Sequence, residues 1–299
     1  MTETVLKDKL QESLKSSLLK RLPSTSRLET DIKGFALTRY DEPLSSTRCF
    51  YTPMVALVVQ GFKRSMIGGR EANYGALHCV TVGIDMPGVF QISNASPEAP
   101  FLSMSMKLDR RIITQLLTED PSLLAAADEA LNPVVVDAAS RDLLQTFVRL
   151  VELLDTPSRI PVLAPMLLRE LHYYLLCGSQ GRCLRLFSTT GTQANRIAEA
   201  ISWLRSHYAE SLNMGELAQR VNMAPSTFNR HFKQVTNLSP LQFQKRLRLY
   251  EAERLMLQEG KNAGTAALMV GYESGSQFNR EYKRQFGAPP HRDVTQKRA

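Results

Sequence analysis

Cysteine is scarce in this chain, with four among 299 residues, and no Cys-x-x-Cys occurs. The interval from Cys177 to Cys183 is not a usual zinc spacing. The plain reading is reduced thiols, buried or exposed. Cys49 and Cys79 are the candidates for redox or electrophile sensing, because both fall in a β-rich half described below. Histidine is scarce as well. Only His78 lies in the β-rich segment and no His-x-His occurs, whereas a zinc or iron site needs three or more converging ligands. We therefore expect no metal and no cofactor, and read His78 as a structural or pocket residue. No Ser/His/Asp or Cys/His arrangement points to nucleophilic catalysis. No run approaches the roughly 18 apolar residues of a membrane span. Residues 1–22 read as an amphipathic helix rather than a signal peptide. These absences predict a cytoplasmic protein that is not an enzyme.

Charge is present but unevenly placed. From Ala194 to the end there are 16 Lys and Arg against 9 Asp and Glu, whereas the preceding 193 residues carry 21 against 20. Basicity confined to one segment points to a polyanion partner for that segment.

Length allows two domains, each with its own core. Residues 1–31 give a helix and a connection. From Gly34 to about Leu108, short apolar runs alternate with Gly, Pro and Asn. The runs at 35–40, 54–60, 65–67, 79–82, 89–92 and 101–106 predict six strands, a sandwich or small barrel. Gly68-Gly69 predicts a tight hairpin. A barrel of this kind can hold a small ligand. After Asp109 the period becomes helical, over 110–117, 141–154 and 164–176. Part of that apolar surface is expected to cover the barrel and part to pair two copies of the chain. His172 is read as a satisfied structural residue. Turn-rich Cys177–Thr192 is read as the linker, which gives domains 1–190 and 191–299.

The basic segment holds one eight-residue pattern twice, Ser226-Thr-Phe-Asn-Arg-His-Phe-Lys233 and Ser276-Gln-Phe-Asn-Arg-Glu-Tyr-Lys283, 50 residues apart. In each, aromatics four apart share one helix face (Phe228 and Phe232; Phe278 and Tyr282), while Ser, Asn and Arg share another. Such a helix anchors itself with aromatics and presents polar groups outward. Each copy follows a short helix and a turn. Asn213 is expected to cap the first, with Glu216 completing a box, and Trp203 is expected to anchor the helix before it. Pro240 opens a long connecting helix over 241–258.

These residues resemble the DNA-binding domain of the AraC family of bacterial transcription regulators. The resemblance rests on Leu217-Ala218, on Phe228–Lys233, on the Lys245-Arg-Leu-Arg-Leu run and above all on Val270-Gly-Tyr-Glu-Ser together with Phe278–Pro290. The segment after Pro290, His291-Arg-Asp293, departs from the usual family ending. Gln60-Gly61, Gly68-Gly-Arg70, Asn73-Tyr-Gly75 and Asp85-Met-Pro87 resemble the cupin-like sensor of one AraC subgroup. The resemblance implies a two-domain α+β protein: an N-terminal cupin-like β-barrel with helices, then an all-α domain with two helix-turn-helix units joined by a long helix. It further implies that Ser226, Asn229 and Arg230 face bases in one major groove, and Ser276, Asn279 and Arg280 in the next, roughly 34 Å away. Lys233 and Lys283 would meet phosphate, and Gly275 would let the backbone approach the duplex. The partners implied are double-stranded DNA, a small-molecule effector, a second copy of the chain and RNA polymerase. The alternative is a cupin-like enzyme with an attached DNA-binding domain.

Overall fold

The structure, a computed structural model, describes residues 3–124 and 132–298. The described residues divide into two compact units, one ending at Asn195 and one running from Arg196, with Arg48–Phe50 grouped with the second.

The first unit opens with helix α1 (Glu3–Arg21), which buries Leu14 and Leu18. Nine strands follow: β1 (Ser26–Glu29), β2 (Phe35–Tyr40), β3 (Leu44–Tyr51), β4 (Met54–Gln60), β5 (Phe62–Ile67), β6 (Arg70–Gly75), β7 (His78–Val82), β8 (Met86–Ser93) and β9 (Phe101–Lys107). Helix α2 (Arg110–Glu119), strand β10 (Val134–Ala138) and helices α3 (Arg141–Leu153), α4 (Ile160–Cys177) and α5 (Gly181–Ser188) complete it. The strands form a six-stranded sheet in the order β1-β2-β9-β4-β7-β10 and a four-stranded sheet in the order β3-β8-β5-β6. Gly68 and Gly69 both take positive φ (55° and 77°) between β5 and β6, the pair of left-handed residues that a two-residue hairpin requires.

Alternation decides which sheet face is dry. Leu37, Val55, Leu57, Met104 and Met106 join Leu14 and Leu18 of α1, Leu144, Phe147 and Leu150 of α3 and Leu171 and Leu175 of α4 in one buried cluster. Fully burying each such side chain contributes about 1.5–3 kcal/mol. His172 of α4 is buried and satisfied on both nitrogens, Nε2 accepting from the Asp109 amide (2.9 Å) and Nδ1 facing the Leu168 carbonyl (2.6 Å). Burial, partly offset by these neighbours, holds its pKa below the ordinary histidine value.

Several expectations need correction here. Ten strands are present among the described residues rather than six: β1, β3 and β6 are too polar to show as apolar runs, and β10, Val134-Val-Val-Asp-Ala, lies apart from the others, among helices. The segment read as a linker contains α5, which buries Cys183, Leu184 and Phe187, so only Thr189–Thr192 connects helices there. The helix expected from 164 begins at Ile160, because Pro161 sits in the first turn of α4, where its missing N–H costs nothing. His78 is exposed on β7, its Nδ1 3.0 Å from the Ala76 carbonyl. Cys79 is fully buried, and burial, with the Asp137 carboxylate second, pushes its thiol up to about 12. A thiol held protonated and dry is a poor nucleophile, which counts against Cys79 as the redox or electrophile sensor. Cys49 is half-buried.

Apart from Arg48–Phe50 of β3, the second unit is built of helices: α6 (Gln193–Ser206), α7 (Met214–Arg220), α8 (Pro225–Thr236), α9 (Pro240–Gln258), α10 (Ala263–Met269), α11 (Gly275–Phe286) and α12 (Pro290–Arg298). Helix α6 buries Ile197, Ala200, Ile201 and Leu204, but Trp203 is only half-buried, contrary to expectation. Its ring stacks on His207 (centroids 4.4 Å, 7° between planes) with the Arg220 guanidinium 5.0 Å from its centroid. Helix α12 forms despite the unusual ending. Asp293 is buried there and accepts from the Tyr282 hydroxyl and the Lys297 ammonium, both at 2.8 Å.

Candidate nucleic-acid interface

The repeat seen in the sequence extends down to single hydrogen bonds. Asn213 caps α7 by accepting from the amides of Gly215 and Glu216, and Asn262 caps α10 by accepting from Thr265. Glu216 does not close a reciprocal box; its carboxylate accepts from the Asn213 side chain instead. Each first helix ends in a left-handed residue, Asn222 (φ 52°) and Gly271 (φ 85°). The chain then folds back, the Met223 amide donating to the Ala218 carbonyl (3.0 Å) and the Tyr272 amide to Ala267 (2.9 Å). Five residues separate α10 from α11 where four separate α7 from α8, so the second turn is one residue longer, as the aligned repeats predict.

Helices α8 and α11 are anchored alike. Phe228 and Phe232 meet at 5.6 Å with 57° between ring planes; Phe278 and Tyr282 meet at 5.5 Å and 59°. All four rings are buried to within 1%. With that face fixed inward, the 3.6-residue period directs the other outward. Ser226, Asn229, Arg230 and Lys233 are all exposed on α8, as are Ser276, Asn279, Arg280 and Lys283 on α11. Asn229 donates to the Pro225 carbonyl at 3.0 Å, which holds its amide nitrogen against the helix. Gly275 is exposed at the start of α11, and a Cβ placed on it would meet nothing within 4 Å. Nothing inside the protein requires glycine there.

The basic residues of this unit sort into two kinds. Arg254 is clasped by Glu251 and Glu259, Lys245 by Glu281 (2.7 Å) and Lys297 by Asp293 and Glu253. Burial would raise the Glu281 carboxyl, but bonds from Lys245, Tyr272 and Gln277 outweigh it and hold the group below the ordinary range. By contrast, Arg230, Lys233, Arg280 and Lys283 form no ion pair or side-chain hydrogen bond among the described residues. The charges left uncompensated thus include a matched pair on each repeated helix.

Sequence reasoning missed the group that joins the two units of the repeat. Arg248, on α9, donates to four backbone carbonyls: Tyr208 (2.6 Å), Ala209 (3.2 Å) and Glu210 (2.8 Å) before α7, and Gly271 (2.8 Å) in the second turn. Gln244 adds bonds to Tyr208 and Glu210. In the first repeat, Arg196 donates to the Asn222 carbonyl at 2.9 Å, so the left-handed corner of each turn rests on an arginine. Arg196 and Arg248 stand in different register relative to their repeats, and alignment of the copies does not find them.

Elsewhere, the four-stranded sheet of the first unit carries a buried polar line, Tyr51 hydroxyl to Ser65 hydroxyl to Tyr74 hydroxyl, each step 3.1 Å. Among the described residues no group of three or more His, Cys, Asp or Glu is gathered as metal ligands would be. None of the described helices is long and apolar enough to cross a membrane.

Comparison with known proteins agrees with this arrangement. Residues 31–183 match the AraC-type transcriptional regulator N-terminus, and residues 217–295 match a helix-turn-helix domain. Among curated proteins, the chain is 28% identical over 121 residues to the HTH-type transcriptional activator RhaS of Pectobacterium carotovorum, covering 40% of this chain and 43% of that protein. It is 29% identical over 121 residues to the HTH-type transcriptional regulator ArgR of Pseudomonas aeruginosa, covering 40% of this chain and 37% of that one. The matched region thus spans less than half the length of these relatives. Among solved structures, ToxT from Vibrio cholerae O395, bound to (E)-4-(8-methylnaphthalen-1-yl)but-3-enoic acid, superposes with a TM-score of 0.60 at 11% identity. That likeness covers 88% of this chain and 99% of that one, and it shows a shared fold.

Proposed function

Because the chain belongs to the AraC family of transcriptional regulators, we propose that it binds double-stranded DNA sequence-specifically, with α8 and α11 in two consecutive major grooves. The observation that carries this reading is the matched pair of exposed faces, each with Ser, Asn, Arg and Lys in one frame and each with uncompensated cations. Arg230 and Arg280 suit bidentate donation to guanine O6 and N7, and Asn229 and Asn279 suit adenine. Lys233 and Lys283, one turn further on, suit phosphate, where a point charge suffices. Ser226 and Ser276 complete the base-facing rows, and the open space at Gly275 suits close backbone approach to the duplex.

In this reading the first unit binds a small-molecule effector, the protein pairs with a second copy of itself in the cytoplasm, and it acts on transcription through RNA polymerase rather than as an enzyme. For the effector to regulate, it must bind two states of the protein with different affinity. The test is selection from a pool of random duplexes, followed by sequencing. Enrichment of sites with two conserved blocks is expected; a pool that stays random after several rounds would rule the reading out.

A further inference from the structure

The second unit holds a cleft of about 260 Å³ bordered by Leu238 in the turn between α8 and α9, the first half of α9 and the last turns of α11. Leu238 and Gln242 line it with Lys245, Arg246, Arg284 and Glu281. Three cations therefore face one carboxylate, and that carboxylate is occupied: Glu281 accepts from Lys245 (2.7 Å), from the Tyr272 hydroxyl (2.8 Å) and from Gln277 (3.3 Å). Arg246, half-buried, and Arg284, exposed, form no ion pair or side-chain hydrogen bond among the described residues. Two guanidinium groups thus share one small cleft with no counter-ion, and planar guanidinium forks match phosphate oxygens well.

We propose that this cleft seats a phosphate of the DNA backbone between the two base-reading helices. The inference rests on the reading of function above. If α8 and α11 occupy consecutive major grooves, the stretch between them presents a minor groove with its flanking phosphates to the connector α9. The cleft is bordered by that connector, by the turn that leaves α8 and by α11, so it lies where such a phosphate would pass. This contact carries no base information. It fixes spacing and register between the two heads, as backbone contacts do elsewhere.

The experiment measures affinity for a selected duplex, and for single-base variants of it, across a fourfold rise in salt. Wild type is compared with Arg246→Gln/Arg284→Gln, and with Lys33→Gln/Arg111→Gln as a control that removes the same formal charge from the first unit. Each phosphate contact contributes about 0.9 to the slope of log affinity against log salt. The cleft variant is therefore expected to lose about 3.5-fold less affinity than wild type over that range, with its base preferences unchanged and the control matching wild type. Arg284→Gln alone, at an exposed position, should give about half the slope change and serves if the double variant folds poorly by circular dichroism. An unchanged slope in the cleft variants overturns the proposal. So does inorganic phosphate raising the melting temperature of wild type but not the variant while the salt slope stays put, since the cleft would then take a free anion. If wild type selects no duplex at all, the reading of function fails, and that outcome is distinct from either of these.

Discussion

Replacing Gly271 with alanine is expected to destabilise the second unit by about 2–5 kcal/mol, a large share of the stability of a typical domain. Two independent costs add here. The residue sits at φ 85°, where a side chain costs on the order of 1–2 kcal/mol. A Cβ would also stand 2.0 Å from the Ala209 carbonyl oxygen, a backbone atom that cannot rotate away. That carbonyl is one of the four gathered by Arg248, so relieving the clash pulls on the bonds that join the two halves of the repeat. Overpacking of this kind costs about 1–3 kcal/mol or more. Asn222, at the equivalent corner of the first turn, has φ 52° and tolerates it because asparagine visits the left-handed region readily. Asn222→Gly should change stability by only a few tenths of a kcal/mol. Urea unfolding followed by helix content decides the matter. Equal midpoints for Gly271→Ala and wild type would contradict the account of this corner.

The second large effect concerns recognition rather than folding. Arg230→Ala and Arg280→Ala should each weaken binding to a selected duplex by about 1–3 kcal/mol, and each should relax preference in its own half of the site only. The two residues lie on separate helices with no shared partner, so their effects should add, giving about 2–6 kcal/mol for the double variant. Neither side chain holds the fold, so melting temperatures should stay near wild type. Lys233→Gln and Lys283→Gln should behave differently, weakening all sequences alike and flattening the salt dependence. Titration of each variant against the duplex and its single-base relatives separates these outcomes. Unchanged affinity and base preference in both arginine variants would remove Arg230 and Arg280 from the reading face.

What the sequence disclosed and what it concealed follow from the range of the interactions. The repeated helices were legible because aromatic spacing, Asn caps, and prolines at the heads of α9 and α12 are local signals, each written twice. Strands β2 and β4 announced themselves as apolar runs, since both of their faces are covered. Strand β3, Leu-Ser-Ser-Thr-Arg-Cys-Phe-Tyr, did not, because an edge strand with partly exposed faces needs little apolar character. Helix α5 is too short to establish a period. Trp203 was misjudged because spacing alone places it beside Ile197 and Leu204, whereas His207 and Arg220 hold it at the surface. Arg248 stands in the Lys245-Arg-Leu-Arg-Leu run, but its role was hidden for a different reason. Its partners are backbone carbonyls, which every residue carries, so no pattern of side chains could point to it.

The central claim is that two copies of one helix read DNA one turn apart. Interference footprinting on a selected duplex, in which modified bases and phosphates that block binding are mapped, tests it most directly. The account predicts two patches of major-groove base interference on one face of the duplex, about 10 base pairs apart, with phosphate interference between them. A single patch, or two on opposite faces, would contradict it.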